Sequence, residues 1–250
     1  MTVVLNAEGI SKRFGGLQAL ADVTITVDEG EILGLIGPNG AGKTTLFNVL
    51  NAVQRPDAGR IVFRDRDIAG LRPYDLARLG MARTNQIVRP LNDLTVRENV
   101  TVGACFGRRN LGLPAAIARS NEVLEQVDLM SRADQLASTL NVAQKKRLEL
   151  ARALAADPDL LLLDEVLAGL NPAEITAMLE TIRLVRDSGV TIVIIEHVMH
   201  ALMNVSDRVV VLDYGRQIAE GTPAEVVNDA AVIEAYLGDP KLAAGLERQS

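Results

Sequence analysis

The chain has 250 residues, 48% of them apolar, enough to bury a large core as one big domain or two small ones. Its net charge of −6 argues against a general affinity for nucleic acid, which rests on a basic excess. The single cysteine, Cys105, excludes an internal disulfide and a cysteine-based metal cluster, and reads as a reduced, buried thiol.

The apolar runs, such as Val190 to Ile195, fall far short of the ~20 residues that span a bilayer. Met1 to Asn6 lacks the charged and apolar regions of a signal peptide. Any action on a membrane process is therefore expected to go through a partner.

In chain order, residues 3–27 read as antiparallel strands, with Val23, Ile25 and Val27 alternating with Thr24 and Thr26. Phe14 lies among basic residues and glycines, Ser11-Lys12-Arg13-Phe14-Gly15-Gly16. It is either a core residue or an exposed platform for a purine ring. The apolar run Glu31 to Ile36 reads as a buried strand. Gly37-Pro38-Asn39-Gly40-Ala41-Gly42-Lys43-Thr44-Thr45 follows it and fits the phosphate-binding pattern G-x-x-x-x-G-K-[ST]. A helix follows through Leu50. Glycines let backbone N–H groups converge on a phosphate, and the helix N-terminus adds partial positive charge. Lys43 is placed to reach the β- and γ-phosphates, and Thr44 to put its hydroxyl on Mg²⁺. The alternative is a glycine-rich turn with a chance lysine.

A turn at Pro56 to Gly59, a strand at Ile61 to Phe63 and a helix from Pro73 come next, then a short strand ending near Gln86. From Leu91 the pattern turns helical. Thr95-Val96-Arg97-Glu98 is a capping box opening a helix through Phe106. Ala115 to Met130 reads as a second helix anchored by Ile117, Val123, Leu124 and Val127, and Gln144 to Ala156 as a third. Residues 91–157 thus read as a helical insertion. Leu160 to Leu163 is an apolar run suited to a parallel strand covered on both faces, and it ends in Asp164-Glu165. Asn171-Pro172-Ala173-Glu174 opens a helix. Val190 to Ile195 is a buried strand ending at Glu196-His197. Val209 to Leu212 and Gln217 to Ala219 form a hairpin, and Thr222-Pro223-Ala224-Glu225 caps a last helix.

Three apolar strands thus end in polar residues, where ligands bind in open α/β sheets, so all three ends are expected to face one crevice. Asp164 is placed to hold Mg²⁺ through water, and Glu165 to activate a water for attack on a γ-phosphate. The alternative for the two acids is a solvated loop. His197 can donate a hydrogen bond to the γ-phosphate or be a surface histidine. With His200 it has i, i+3 spacing, which without further ligands is weak support for a metal site.

This order of motifs resembles that of the ATP-binding cassette (ABC) ATPases over nearly the whole chain. The resemblance implies an α/β P-loop NTPase core of RecA-like type, with an antiparallel β-subdomain and an inserted α-helical subdomain. Its single domain would run over 1–238, with 1–90 and 158–238 as core, 91–157 as helical subdomain and 239–250 as tail. It puts the aromatic adenine platform on Phe14, Walker A on Gly37 to Thr45, the Q-loop glutamine on Gln86 and Walker B on Leu160 to Asp164. The catalytic glutamate falls on Glu165 and the switch histidine on His197. ATP and Mg²⁺ are the implied cofactors, with Thr44, Gln86 and Asp164 around the metal. Lys43 and Gln86 join Glu165 and His197 in the reaction.

The family works as a head-to-tail dimer, each ATP lying between one subunit's Walker A and the other's signature loop. The signature Leu-Ser-Gly-Gly-Gln corresponds here to Leu140-Asn141-Val142-Ala143-Gln144. Asn141 and Gln144 would contact the partner's nucleotide, but the serine hydroxyl and both glycines are gone. The D-loop ends in Asn171 rather than aspartate. Within the family the chain resembles ATP-binding subunits of branched-chain amino acid importers, through Ala82-Arg83-Thr84, Asp164 to Asn171 and Asp213 to Pro223. That implies membrane permeases, a solute-binding protein reached indirectly, a second identical or non-identical ATPase subunit, no nucleic acid, and a place on the cytoplasmic face of the inner membrane. The rival readings are a lipopolysaccharide-export ATPase, a soluble ABC ATPase acting on ribosomes or DNA, and a non-catalytic nucleotide-binding module.

Overall fold

The computed structural model describes residues 2–84 and 89–237. Gln86 lies outside them. In chain order come β1 (Val3–Phe14), β2 (Leu17–Asp28), β3 (Ile32–Ile36), α1 (Lys43–Leu50), β4 (Ala58–Phe63) and β5 (Arg66–Asp67). Next are α2 (Pro73–Leu79), β6 (Met81–Arg83), α3 (Val96–Phe106), α4 (Leu113–Gln126), α5 (Val142–Ala155), β7 (Leu160–Asp164) and α6 (Pro172–Asp187). The chain then runs through β8 (Thr191–Ile195), α7 (Met199–Val205), β9 (Arg208–Asp213), β10 (Arg216–Gly221), α8 (Pro223–Val227) and α9 (Ala230–Leu237). They fall into two compact units, one ending at Pro73 and resuming at Thr191, the other spanning Tyr74–Val190.

The first unit holds an antiparallel sheet in the order β2-β1-β4-β5. Its period-2 pattern sets which side is buried: Leu5 pairs with Val27 and Phe63, Ala7 with Ile25 and Ile61, and all six side chains are buried. The same unit holds β8, β3, β9 and β10 side by side. Here β3 runs parallel to both β8 and β9, and β10 closes an antiparallel hairpin on β9. Every residue of β3 and of β8 is buried, which accounts for their unbroken apolar runs.

In the second unit β6 and β7 are parallel, with Met81 beside Leu160 and Arg83 beside Leu162. The helices α3, α4 and α5 pack on one another. Thr101 and Ser120 share a buried hydrogen bond of 3.0 Å between α3 and α4. Buried Asn99 clips the segment before its own helix, accepting from the Leu91 N–H and donating to the Leu91 and Thr95 carbonyls. The fold class is α/β with parallel and antiparallel sheets, as expected for a P-loop NTPase.

Several local expectations change. The second helix runs from Leu113 to Gln126, because Gly112 caps it with Pro114 in its first turn, and Asp128 turns left-handed at its end. Met130 lies in a separate 3-10 turn. Ile117 is not an anchor: it is 37% exposed, since the buried face carries Ala116, Ser120, Val123 and Leu124. Cys105 is only half-buried, one step off the face formed by Val96, Val100 and Ala104. The third helix starts at Val142, capped by Asn141 in a box with Gln144. The helix after Thr222 is not the last, because α9 follows it.

Candidate functional site

The loop from Gly37 to Gly42 leaves β3 and enters α1 through glycines that backbone geometry requires. At Gly37, φ is 152° and a Cβ would stand 2.1 Å from the Leu212 carbonyl oxygen. At Gly42, φ is 104° and a Cβ would meet the Ala19 carbonyl oxygen at 2.6 Å. Gly42 caps α1 without any side-chain hydrogen bond to its first turn, and a Cβ on Gly40 would meet nothing within 4 Å. Uncapped N–H groups beside open space fit an anion. Lys43 is buried and its ammonium donates to the carbonyls of Gly37 at 2.6 Å and Pro38 at 3.0 Å. Thr44, the next residue of α1, is exposed, and Thr45 is half-buried.

His197 leaves the carboxyl end of β8 next to this loop, because Leu35 of β3 pairs with Ile195 of β8. His197 and His200 are both exposed, and among the described residues no group of three or more His, Cys, Asp and Glu is arranged to hold a metal. Phe14, at the end of β1, is 44% exposed, with the Lys12 ammonium 5.7 Å from its ring centroid. Asp57 ties down that strand end, accepting from Lys12 at 2.9 Å and the Arg13 N–H at 2.6 Å. These bonds hold the Asp57 carboxyl below its ordinary pKa. Phe14 is thus a surface ring at a braced strand end and not a core residue.

The second unit carries the acids. Asp164 ends β7 and is 1% exposed. Its Oδ2 accepts from the Arg83 guanidinium at 2.7 Å, its backbone N–H donates to the Thr84 hydroxyl at 3.1 Å, and its Oδ1 is buried without a hydrogen-bond partner. An orphaned carboxylate oxygen beside a single buried cation suits a further positive group or a water. Glu165 is half-buried and left-handed, with φ 50°. Asn141 and Gln144 complete a reciprocal capping box at the start of α5, and Asn171 and Glu174 do the same for α6. The side chains of Asn141 and Asn171 are therefore engaged as caps.

Two side chains at these turns had no assigned role in the sequence reading. Arg83 lies beside Thr84, but nothing local marks it as the partner of Asp164. Tyr236 of α9 is fully buried, with its phenol near the Gly37 backbone. Burial pushes this phenol well above its ordinary pKa, and nearby Asp213 adds to the rise, so it stays protonated at neutral pH. The i, i+4 spacing of Val232 and Tyr236, both buried, was the available signal.

The family model for the ABC transporter matches residues 20–168, more than half of the chain. The chain belongs to the ABC transporter ATPases. It is an ATP-hydrolysing cassette. A second model, the branched-chain amino acid ATP-binding cassette transporter, matches residues 216–241 of this ABC ATPase. The chain is 41% identical to the high-affinity branched-chain amino acid transport ATP-binding protein LivG of Salmonella typhimurium, over 94% of this chain and 98% of that one. It is 35% identical to the lipopolysaccharide export system ATP-binding protein LptB of Escherichia coli, over 94% and 97% of the two chains. Among solved structures, the ADP conformation of MJ1267, an ATP-binding cassette of an ABC transporter, superposes with a TM-score of 0.86 at 31% identity, covering 96% of this chain and all of that one. No helix among the described residues is long and apolar enough to cross a membrane.

Proposed function

We propose that this ABC ATPase powers the import of branched-chain or related amino acids through a separate membrane permease, from the cytoplasmic face of the inner membrane. The observation that carries this reading is the 41% identity to LivG across nearly the full length, against 35% to LptB. The match of residues 216–241 supports it. Co-purification from native membranes tests it. Branched-chain-type permeases are expected to come down with the chain, and labelled leucine uptake is expected to stop when Lys43 is replaced. Recovery of lipopolysaccharide-export subunits instead would overturn it.

In the proposed mechanism the adenine stacks on Phe14 and the phosphates lie in the loop from Gly37 to Thr45, where Gly37, Pro38, Asn39, Gly40, Ala41 and Gly42 present backbone. Lys43 turns from the loop carbonyls to the phosphates. Thr44 and Asp164, with Gln86, would hold Mg²⁺, and the orphaned Asp164 Oδ1 fits that role. Held by these residues, Mg²⁺ would supply charge neutralisation at the phosphate oxygens. Glu165 takes a proton from the attacking water, and His197 donates a hydrogen bond to the γ-phosphate. Phe14→Ala is expected to weaken ATP binding by about 1–3 kcal/mol, by analogy with base stacking on aromatic side chains. Titration of a fluorescent ATP analogue checks this, alongside a melting temperature that should stay put.

A head-to-tail dimer completes each site with a signature loop. Val142 and Ala143 carry side chains where the family has glycines, and Asn141 replaces its serine, so the site built on this loop should be the poorer of two. The chain is therefore expected to pair with a second, non-identical ATPase subunit. Replacing Lys43 should then cost more transport than replacing the partner's Walker A lysine. Equal losses in the reconstituted transporter would refute the asymmetry.

A further inference from the structure

Glu165 is not glycine, yet its backbone is left-handed, with φ 50°. Such a conformation persists in a non-glycine residue only where its surroundings hold it. The side chain that does so comes from α5. Lys146 is 6% exposed, and its ammonium donates a hydrogen bond of 2.7 Å to the Glu165 carbonyl oxygen. The same oxygen accepts the Ala168 N–H at 3.3 Å, which closes the turn after β7. Val142, one helical turn away, lies close to the same turn: a Cβ placed on Gly169 would stand 3.8 Å from Val142 Cγ1. The first turns of α5 and the turn 165–169 are therefore joined by the Lys146 bond, with Val142 close by.

A buried ammonium is costly unless hydrogen-bonded, so Lys146 binds this carbonyl firmly. The oxygen it holds is main chain, so the bond acts on the φ and ψ that aim the Glu165 side chain and not on the carboxylate itself. Its base, α5, is fixed in turn by the Asn141–Gln144 capping box.

We propose that Lys146 is a positioning residue, which holds the Glu165 backbone in the orientation that presents its carboxylate to the attacking water. This rests on the reading of Glu165 as the base. It assigns the chemistry to Glu165 and its alignment to the signature helix of the same chain.

The test is ATPase kinetics of the full chain carrying Lys146→Met, Lys146→Arg, Glu165→Gln, or Lys146→Met with Glu165→Gln. Misaligning a reacting group by about 1 Å costs up to roughly 10²-fold. Lys146→Met is expected to lower kcat by about 10–100-fold on that basis, with KM for ATP and the affinity for a fluorescent ATP analogue within about twofold of the parent. Lys146→Arg, which keeps a cationic donor, is expected to regain most of kcat. The double variant is expected to turn over no more slowly than Glu165→Gln alone, because an unused base needs no alignment. Should the Met variant not fold, Lys146→Gln keeps a shorter neutral donor and its kcat decides. Unchanged kcat, a loss that multiplies onto that of Glu165→Gln, or lost nucleotide affinity with kcat intact would each overturn the proposal. A fully active Glu165→Gln chain would instead overturn the reading of Glu165.

Discussion

Glu165→Gln should bind ATP as the parent chain does and lose roughly 10²–10⁴-fold of its turnover, the usual contribution of a positioned general base. Glutamine keeps the size and the half-buried setting of the side chain, and the backbone contacts of residue 165 with Lys146 and Ala168 do not involve the carboxylate. What it removes is the ability to take a proton. Nucleotide affinity should therefore stay within about twofold while kcat collapses, the pattern of an interaction made only in the transition state. Equilibrium binding of a fluorescent ATP analogue and phosphate release, measured on one preparation, check both halves. Turnover near that of the parent would mean that Glu165 is a solvated residue at a strand end.

The largest effect on stability is expected at Arg83. Its guanidinium is 11% exposed and Asp164 is 2% exposed by side chain, so Arg83→Met leaves a buried carboxylate without its cation. Breaking one side of such a pair costs about 3–5 kcal/mol. For a chain of this size that corresponds to a fall in melting temperature of roughly 6–20 °C. Arg83→Met combined with Asp164→Leu should recover most of the loss, because an apolar pair avoids the desolvation of both charges. The double variant should still fail to hydrolyse ATP, since it lacks the carboxylate proposed for Mg²⁺. A calorimetric scan of the three chains decides between a pair retained for stability and one retained for the reaction. A single variant that melts with the parent would show that Asp164 has other compensation.

Tyr236 is another buried polar side chain. Its hydroxyl is buried against the Gly37 backbone, and Gly37 leaves no room for a side chain of its own.

The amino-acid sequence alone determined the local parts. The run Gly37 to Thr45 is legible as a phosphate-binding pattern because its glycines take positive φ in the turn between a strand and a helix. Strands β3, β7 and β8 are legible because a strand covered on both faces reads as a nearly continuous apolar run. The capping boxes at Thr95, Asn171 and Thr222 are legible because donor and acceptor lie three residues apart. Asn141 follows the same rule, within a stretch that also resembles a signature loop. Only the tertiary structure decided the supports: Arg83 to Asp164 across 81 residues, and Lys146 to Glu165 across 19. It also decided helix phase, which left Ile117 and Cys105 partly exposed. The physical reason is the same in each case. Local spacing governs hydrogen bonds within a turn and the period of a strand or helix. The partner that makes a buried charge or hydroxyl tolerable arrives from another element, and only packing brings it there.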